Sequence, residues 1–290
     1  MHILVASNAF KNSLTADEAC SAIISGFNKS KLKCTLESFP IGDGGDGTGS
    51  LIIKRKQGKI YSFPVHDPLG RNTNASFGII DNGKTAVIEM AEASGIRLLK
   101  PGELNPLIAS SAGTGELIIK ALDAGVKKII IGMGGSATVD GGIGILHALG
   151  IRFLDTQGKT LEPLPKNLQQ LASIDDSGID RRIVELVVLC DVENLLLGEN
   201  GAAEVFGPQK GASPADVKTL DEALQKLSRI VFEHNGKNME AMKYGGTAGG
   251  AASGLSALAN ARLVNGIDYF LDLTEFDKVL EKSNILITGE

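Results

Sequence analysis

Apolar positions along the chain fall into short runs and helical stripes separated by glycine-bearing polar loops. Residues 2–6 (His-Ile-Leu-Val-Ala) read as a buried strand. Thr15 and Glu18 frame a capping box, which predicts a helix running to about Phe27. Cys34, Leu36 and Ser38 then alternate with Lys33, Thr35 and Glu37, the period of a second strand. Strand, helix, strand in this order implies a parallel, right-handed unit. Residues 59–65 predict another strand. Asn82-Gly83 sits between Ala-Ser-Phe-Gly-Ile-Ile and Thr-Ala-Val-Ile-Glu-Met, a hairpin signal, so the sheet is mixed and a new domain begins near residue 64. Leu117, Ile118, Ala121 and Leu122 form one helical face that Gly125 stops. Ile129-Ile130-Ile131 is a buried strand, and Ile143, Leu146 and Leu149 mark a helix ending at Gly150. Strands follow at 151–154 and 184–189. Ser213 caps a helix with Pro214 at its first position, and Val217, Leu220, Leu224, Leu227 and Val231 are its buried stripe. A small-residue run at 245–254 leads into a helix, Thr274 caps a short one, and 284–288 is a last strand. That strand breaks off at a Gly-Glu loop with no helix to cover the sheet, so the sequence reads as a fragment of a longer protein.

Composition narrows the class. A chain of 290 residues that is 43% hydrophobic carries ample core for two domains. With 36 glycines, 4% aromatics and no tryptophan, short strands and helices joined by glycine loops fit better than a β-sandwich. A net charge of −5 gives no basic face for nucleic acid. Cys20, Cys34 and Cys190 form no Cys-x-x-Cys pair and are odd in number, which argues against a disulfide framework or zinc site and for a reducing cytosol. No run approaches the roughly 18 apolar residues of a membrane span. The expectation is a soluble, cytoplasmic protein without nucleic-acid or membrane partners.

The chemistry concentrates at residues 132–150. Gly132, Gly134, Gly135, Gly141 and Gly142 surround Ser136, Thr138 and Asp140 directly after a predicted strand. Glycines let backbone N–H groups approach an anion, and the hydroxyls and carboxylate add side-chain donors and a magnesium ligand. Lys11 and Ser13 lie in the polar loop after the first strand, where parallel sheets gather ligands. The second strand ends in Pro-Ile-Gly-Asp-Gly-Gly-Asp-Gly-Thr (40–48), whose Asp43 and Asp46 suit a hard cation. Ser110, Ser111, Gly113, Thr114 and Gly115 open the 110–125 helix, either as an anion site or as plain caps. Asp191 ends the 184–189 strand, again at the ligand edge. Glu89 and Glu92 follow the hairpin as site residues or as ordinary surface. Lys210 belongs to an ordered loop at 201–212.

Seven segments together resemble the bacterial glycerate kinases. They are Ala-Phe-Lys-Asn-Ser-Leu-Thr-Ala (9–16), Pro-Ile-Gly-Asp-Gly-Gly-Asp-Gly-Thr (40–48), Glu-Met-Ala-Glu-Ala-Ser-Gly (89–95), Ser-Ala-Gly-Thr-Gly-Glu-Leu-Ile (111–118), Gly-Met-Gly-Gly-Ser-Ala-Thr-Val-Asp-Gly-Gly-Ile-Gly (132–144), Cys-Asp-Val-Glu-Asn (190–194) and Val-Phe-Gly-Pro-Gln-Lys-Gly-Ala (205–212). Asn8-Ala9 and Asn12 depart from the usual Asp-Ser and Gly around Lys11, Asp46 stands where Glu is common, and the order within 245–254 is shuffled. The resemblance implies ATP- and Mg²⁺-dependent phosphorylation of D-glycerate by a two-domain α/β protein, each domain a mostly parallel or mixed sheet flanked by helices, with the site in the interdomain cleft. Residues 1–63 plus 283–290 and a further C-terminal continuation would form one Rossmann-like domain, with 64–282 inserted. Members normally continue past Ile-Thr-Gly-Glu. On this reading Lys11, Ser13 and the 134–138 stretch (Gly134, Gly135, Ser136, Thr138) meet the phosphates. Asp43 and Asp46 hold Mg²⁺, with Asp140 a further candidate. Asp191 takes the hydroxyl proton, and Gly113, Thr114 and Gly115 bind the glycerate carboxylate or a phosphate. The partners are glycerate and ATP, and a homodimer is among the assemblies allowed. The chain has no Walker A motif, so the phosphates are not held by a P-loop. Two other readings stand beside it. One is an NAD-dependent oxidoreductase, because 132–137 fits Gly-x-Gly-x-x-Ala and Asp155 ends the next strand. The other is an inactive fragment.

Overall fold

The computed structural model describes residues 1–290 apart from 12, 181 and 183, so the departure at Asn12 lies outside the described residues. In chain order the strands are β1 (His2–Val5), β2 (Thr35–Ser38), β3 (Lys59–His66), β4 (Asn72–Ile80), β5 (Thr85–Glu89), β6 (Lys128–Gly132), β7 (Arg152–Leu154), β8 (Ser173–Asp175), β9 (Glu185–Cys190), β10 (Arg262–Asn265) and β11 (Ile285–Ile287). The helices are α1 (Ala16–Asn28), α2 (Thr48–Arg55), α3 (Met90–Ser94), α4 (Ala112–Asp123), α5 (Ile143–Ala148), α6 (Ala202–Phe206), α7 (Pro214–Asn235), α8 (Ala251–Ala259), α9 (Gly266–Leu273) and α10 (Phe276–Leu280). The protein is α/β with mixed and parallel sheets flanked by helices. A parallel sheet runs β11-β1-β2, and a six-stranded sheet runs β10-β9-β6-β5-β4-β3. In the larger sheet β10, β9, β6 and β5 are parallel, while β4 and β3 are joined antiparallel.

Local signals explain several boundaries. Thr15 Oγ1 accepts from the Glu18 N–H at 3.2 Å while the Glu18 carboxylate accepts from the Thr15 N–H at 2.8 Å. Ser213 and Asp216 repeat this arrangement at the start of α7. Alternation on the central strand divides the core. Ile129 and Ile131 enter a cluster with Leu117, Leu146, Leu224 and Leu227. Ile130 points the other way, with Val187 and Leu189, into a second cluster that includes Leu4, Phe39, Ile52 and Phe270. A strand covered on both faces must be apolar at every position, which accounts for the unbroken isoleucine run. The second cluster takes residues from β1, α2 and the large sheet, so the two sheets share it.

The strand expected at 151–154 is β7, which pairs antiparallel with β8 in a hairpin apart from the large sheet. One expectation changes. Thr274 opens no helix. Its Oγ1 donates to the Phe270 carbonyl at 2.6 Å and closes α9, while Glu275 at φ 59° precedes α10. Among the described residues no helix is long and apolar enough to cross a membrane.

Candidate active site

Four strands end at the same level along one edge of the large sheet, two running directly into helices and two into loops. Register pairs Glu89 with Gly132, Gly132 with Leu189, and Asn265 with Cys190, so the carboxyl ends of β5, β6, β9 and β10 line up. The loop after β2 is laid across this edge. A methyl group on Gly44 would stand 3.1 Å from Gly266 Cα and 3.3 Å from the Cys190 carbonyl carbon. One on Gly134 would stand only 2.1 Å from the Asp46 nitrogen and 2.4 Å from the Gly45 carbonyl carbon. Backbone therefore lies on backbone, and the two glycine-rich loops form one wall. The Gly44 N–H donates to Thr48 Oγ1 at 3.0 Å, which ties the 40–47 turn to the start of α2.

Within that wall Asp43 and Asp191 face the same point. A methyl group on Gly45 would lie 2.9 Å from Asp43 Oδ1 and 3.4 Å from Asp191 Oδ2. Asp43 Oδ1 accepts from the Gly45 N–H at 2.9 Å, and Oδ2 from Asn8 Nδ2 at 3.0 Å. Asn8 thus places a donor on the carboxylate, which an aspartate in its place would repel. Asp191 opens to solvent, yet much of its surroundings is protein. That desolvation, with the Asp43 charge, lifts its carboxyl above the ordinary carboxylate range, while Lys11 and Lys210 pull it back. Lys11 is exposed in the turn between Phe10 and Leu14, on the Asp191 side. Ser13 is exposed in the same turn, its N–H donating to the Phe10 carbonyl at 2.8 Å.

The loop after β6 is tied from several sides. Ala137 N–H donates to Ser94 O and Ile96 N–H to Gly135 O, each at 2.9 Å. Lys210 Nζ donates to Ser136 Oγ at 2.9 Å and to the Thr138 carbonyl at 2.7 Å. Gly135 adopts φ 69°, a left-handed turn that a Cβ would strain.

Other expected residues lie elsewhere. Asp140 is fully buried. Its oxygens accept from Gly142 N at 2.9 Å, Ser111 N at 2.9 Å, Ser111 Oγ at 2.6 Å and Gly144 N at 3.3 Å. Burial pushes its carboxyl up while these donors oppose the shift. It is the anion that the starts of α4 and α5 attract, and, fully buried with four donors already on it, it is not an open metal ligand. Gly113, Thr114 and Gly115 are buried at the start of α4 and do not line the edge. A methyl on Gly113 would stand 1.9 Å from the His66 carbonyl oxygen, and one on Gly115 2.6 Å from Ala148 Cβ. Thr114 Oγ1 pairs with Ser94 Oγ at 2.7 Å. These glycines permit packing between elements, and the anion site read there is filled by Asp140. Asp46 stands at the rim and pairs with exposed Arg97 at 2.6 Å.

Glu89 resolves in favour of the site's frame. Its Oε1 accepts from the Gly49 N–H at 2.6 Å, at the first turn of α2. Burial first, then the nearby Asp46 and Glu92 charges, raise its carboxyl to about 7. Lys210 is not legible as a site residue in the sequence, because its 3% exposure is a property of the fold that no local pattern reports. The only sequence signal was its place in the 205–212 segment.

Among the described residues no three His, Cys, Asp or Glu side chains converge as a preformed metal centre. Magnesium does not require one, since it commonly uses one or two carboxylates, waters and substrate phosphates. Asp43 and Asp46, oxygen donors on one glycine loop with Asp43 beside a second carboxylate, fit such a cation. The dinucleotide reading loses its geometry. Ten residues, 133–142, separate β6 from α5, where that motif needs the helix at once, and Asp155 follows the β7 strand of the detached hairpin.

Comparison with known proteins identifies the family. The model of the glycerate kinase family matches residues 3–290. A glycerate kinase of Halalkalibacterium halodurans is 43% identical over 99% of this chain and 76% of its own length. The glycerate 2-kinase of Escherichia coli is 40% identical over 100% of this chain and 77% of its own. The crystal structure of a candidate glycerate kinase 2 from Salmonella typhimurium superposes with a TM-score of 0.89 at 41% identity, covering 100% of this chain and 78% of that one.

Proposed function

The chain belongs to the glycerate kinase family, and from that premise we propose that it transfers the γ-phosphoryl group of ATP to a hydroxyl of D-glycerate at the Asp43–Asp191 edge. The observation that carries the assignment is the convergence of two carboxylates, the Lys11 charge and a glycine-rich backbone loop at the carboxyl ends of parallel strands. Such a site supplies what phosphoryl transfer demands: charge neutralisation, in-line positioning and a proton acceptor.

Asp191 accepts the proton of the attacking hydroxyl. Its raised carboxyl makes it a better base than an ordinary surface aspartate, and its opening to solvent leaves room for the acceptor. The hydroxyl oxygen bonds to the γ-phosphorus as the bond from that phosphorus to the β–γ bridging oxygen breaks, leaving ADP. Lys11 and the backbone N–H groups at the open start of the 134–138 loop, Gly134 to Ser136, stabilise the phosphate charge, the Ala137 N–H being held by Ser94, and Ser13 stands at the same mouth. Asp43 and Asp46 would hold Mg²⁺, Asp46 exchanging Arg97 for it; the ion would neutralise and orient the phosphates. The cleft is read as the junction of residues 1–63 plus 283–290 with the inserted 64–282. The relative named glycerate 2-kinase supports the 2-hydroxyl as acceptor, which product analysis decides.

The test is Asp191→Asn, which keeps shape and removes the base. Turnover with ATP, Mg²⁺ and D-glycerate should fall by about 10²–10⁴-fold with ATP affinity little changed. Turnover retained in a folded variant removes Asp191 as the base.

A further inference from the structure

Lys210 lies on the segment between α6 and α7, and the mechanism above gives it no task. It is a lysine only 3% exposed. Its ammonium donates to two neutral oxygens, Ser136 Oγ and the Thr138 carbonyl, 74 and 72 residues earlier in the chain. Asp140, ahead of α5, and Asp191, after β9, act on it through space. Burying a charge without a contacting counter-ion is among the costliest things a fold does. A methionine would fill much the same space without that cost. An ammonium has three N–H donors, and the two oxygens account for two of them. On the loop it grips, Thr138 Oγ1 is buried and has no hydrogen-bond partner among the described residues. Cation and loop together form a positively charged, incompletely satisfied support beneath the 134–138 backbone, with Asp191 near enough for its charge to act on the ammonium.

We propose that Lys210 is a positioning residue that holds the 134–138 loop in the shape that receives the phosphate chain of ATP, its charge beneath the loop favouring the anion bound there. This rests on the kinase reading above and adds to it a residue, a direction of pH dependence and a selective effect on nucleotide affinity. The groups facing the ammonium are Asp140 and Asp191, and Lys11 faces Asp191 in turn. Burial pushes the ammonium down to about 8, against the pull of both aspartates. The charge is therefore present at neutral pH and lost as pH rises through about 8, and ATP affinity falls with it.

The experiment is calorimetric titration of ATP with Mg²⁺ into the wild-type chain, Lys210→Met and Lys210→Arg, across neutral to alkaline pH. Circular dichroism of each variant reports folding, and turnover with D-glycerate is measured in parallel. In the wild type, Kd should rise as pH passes through about 8. Lys210→Met should bind about tenfold more weakly at neutral pH, or worse, with that alkaline loss gone. Lys210→Arg keeps a charge that does not titrate in this range, so it should bind without the alkaline loss. If Lys210→Met does not fold, the arginine variant alone decides. Wild-type affinity in Lys210→Met, or the same alkaline loss persisting in either folded variant, overturns the proposal. ATP binding that depends on Lys210 without glycerate turnover would sink the kinase reading and leave the role of Lys210 standing. No ATP binding by the wild-type chain overturns both.

Discussion

The close approach of the two glycine loops gives the sharpest prediction. Gly134→Ala adds one methyl group where the Asp46 nitrogen would be 2.1 Å away, the Gly45 carbonyl carbon 2.4 Å and Gly45 Cα 2.5 Å. Carbon atoms in contact prefer about 3.5 Å or more. The loops must therefore part by roughly 1 Å, and backbone, unlike a side-chain tip, cannot swing aside. Overpacking of this kind costs about 1–3 kcal/mol of stability. A misplacement of about 1 Å in catalytic geometry costs on the order of 100-fold in rate. Asp43 rides on one loop and the phosphate-facing backbone on the other, so kcat/KM should fall by about that factor while the chain stays folded. The matched control is Gly26→Ala on α1, where no atom lies within 4 Å of the new methyl. It should gain up to about 1 kcal/mol from helix propensity and keep full activity. Steady-state kinetics with ATP and D-glycerate, beside thermal unfolding of each protein, make the comparison. Wild-type kcat/KM in folded Gly134→Ala would refute the claim that the two loops build one site.

Two further predictions follow from buried carboxylates. Glu89 is raised from 4.5 to about 7, so the folded state prefers its protonated form. Its contribution to stability is complete below about 4.5 and is lost as pH climbs through about 7. Glu89→Gln should therefore gain stability relative to wild type over that window, by roughly 3 kcal/mol at most; a difference in denaturant midpoint that does not change with pH contradicts this. Asp140→Ala leaves the Gly142, Gly144 and Ser111 N–H groups and the Ser111 hydroxyl without their buried acceptor. Urea unfolding should show a loss of at least about 3 kcal/mol; a loss below about 1 kcal/mol would show that these donors do not depend on it.

What was legible in the sequence was local. The capping boxes at Thr15 and Ser213, the glycine stops at Gly125 and Gly150, and the apolar run of β6 depend on neighbours within a few residues, and they appear where the pattern put them. Partnership and burial were not legible. Residues 151–154 form a strand, but its edge is matched by β8 and not by the large sheet, which depends on a chain reversal some twenty residues on. Asp140 reads as a metal ligand because a carboxylate among glycines looks open, and only the fold shows two helix starts closing on it. Gly113 and Gly115 read as an anion nest for the same reason that they are packing glycines: both need the Cβ absent. Conversely, Lys210 carries no local mark of burial, while the place of Asp191 just past β9 is legible because a strand end is a position that sequence can locate.

The most direct test is whether the purified chain, given ATP, Mg²⁺ and D-glycerate, forms phosphoglycerate and ADP in equal amounts, read by phosphorus NMR. Stoichiometric formation, absent in Asp191→Asn, is the predicted result. A folded wild-type chain that binds ATP and leaves D-glycerate unmodified would contradict the assignment at its centre.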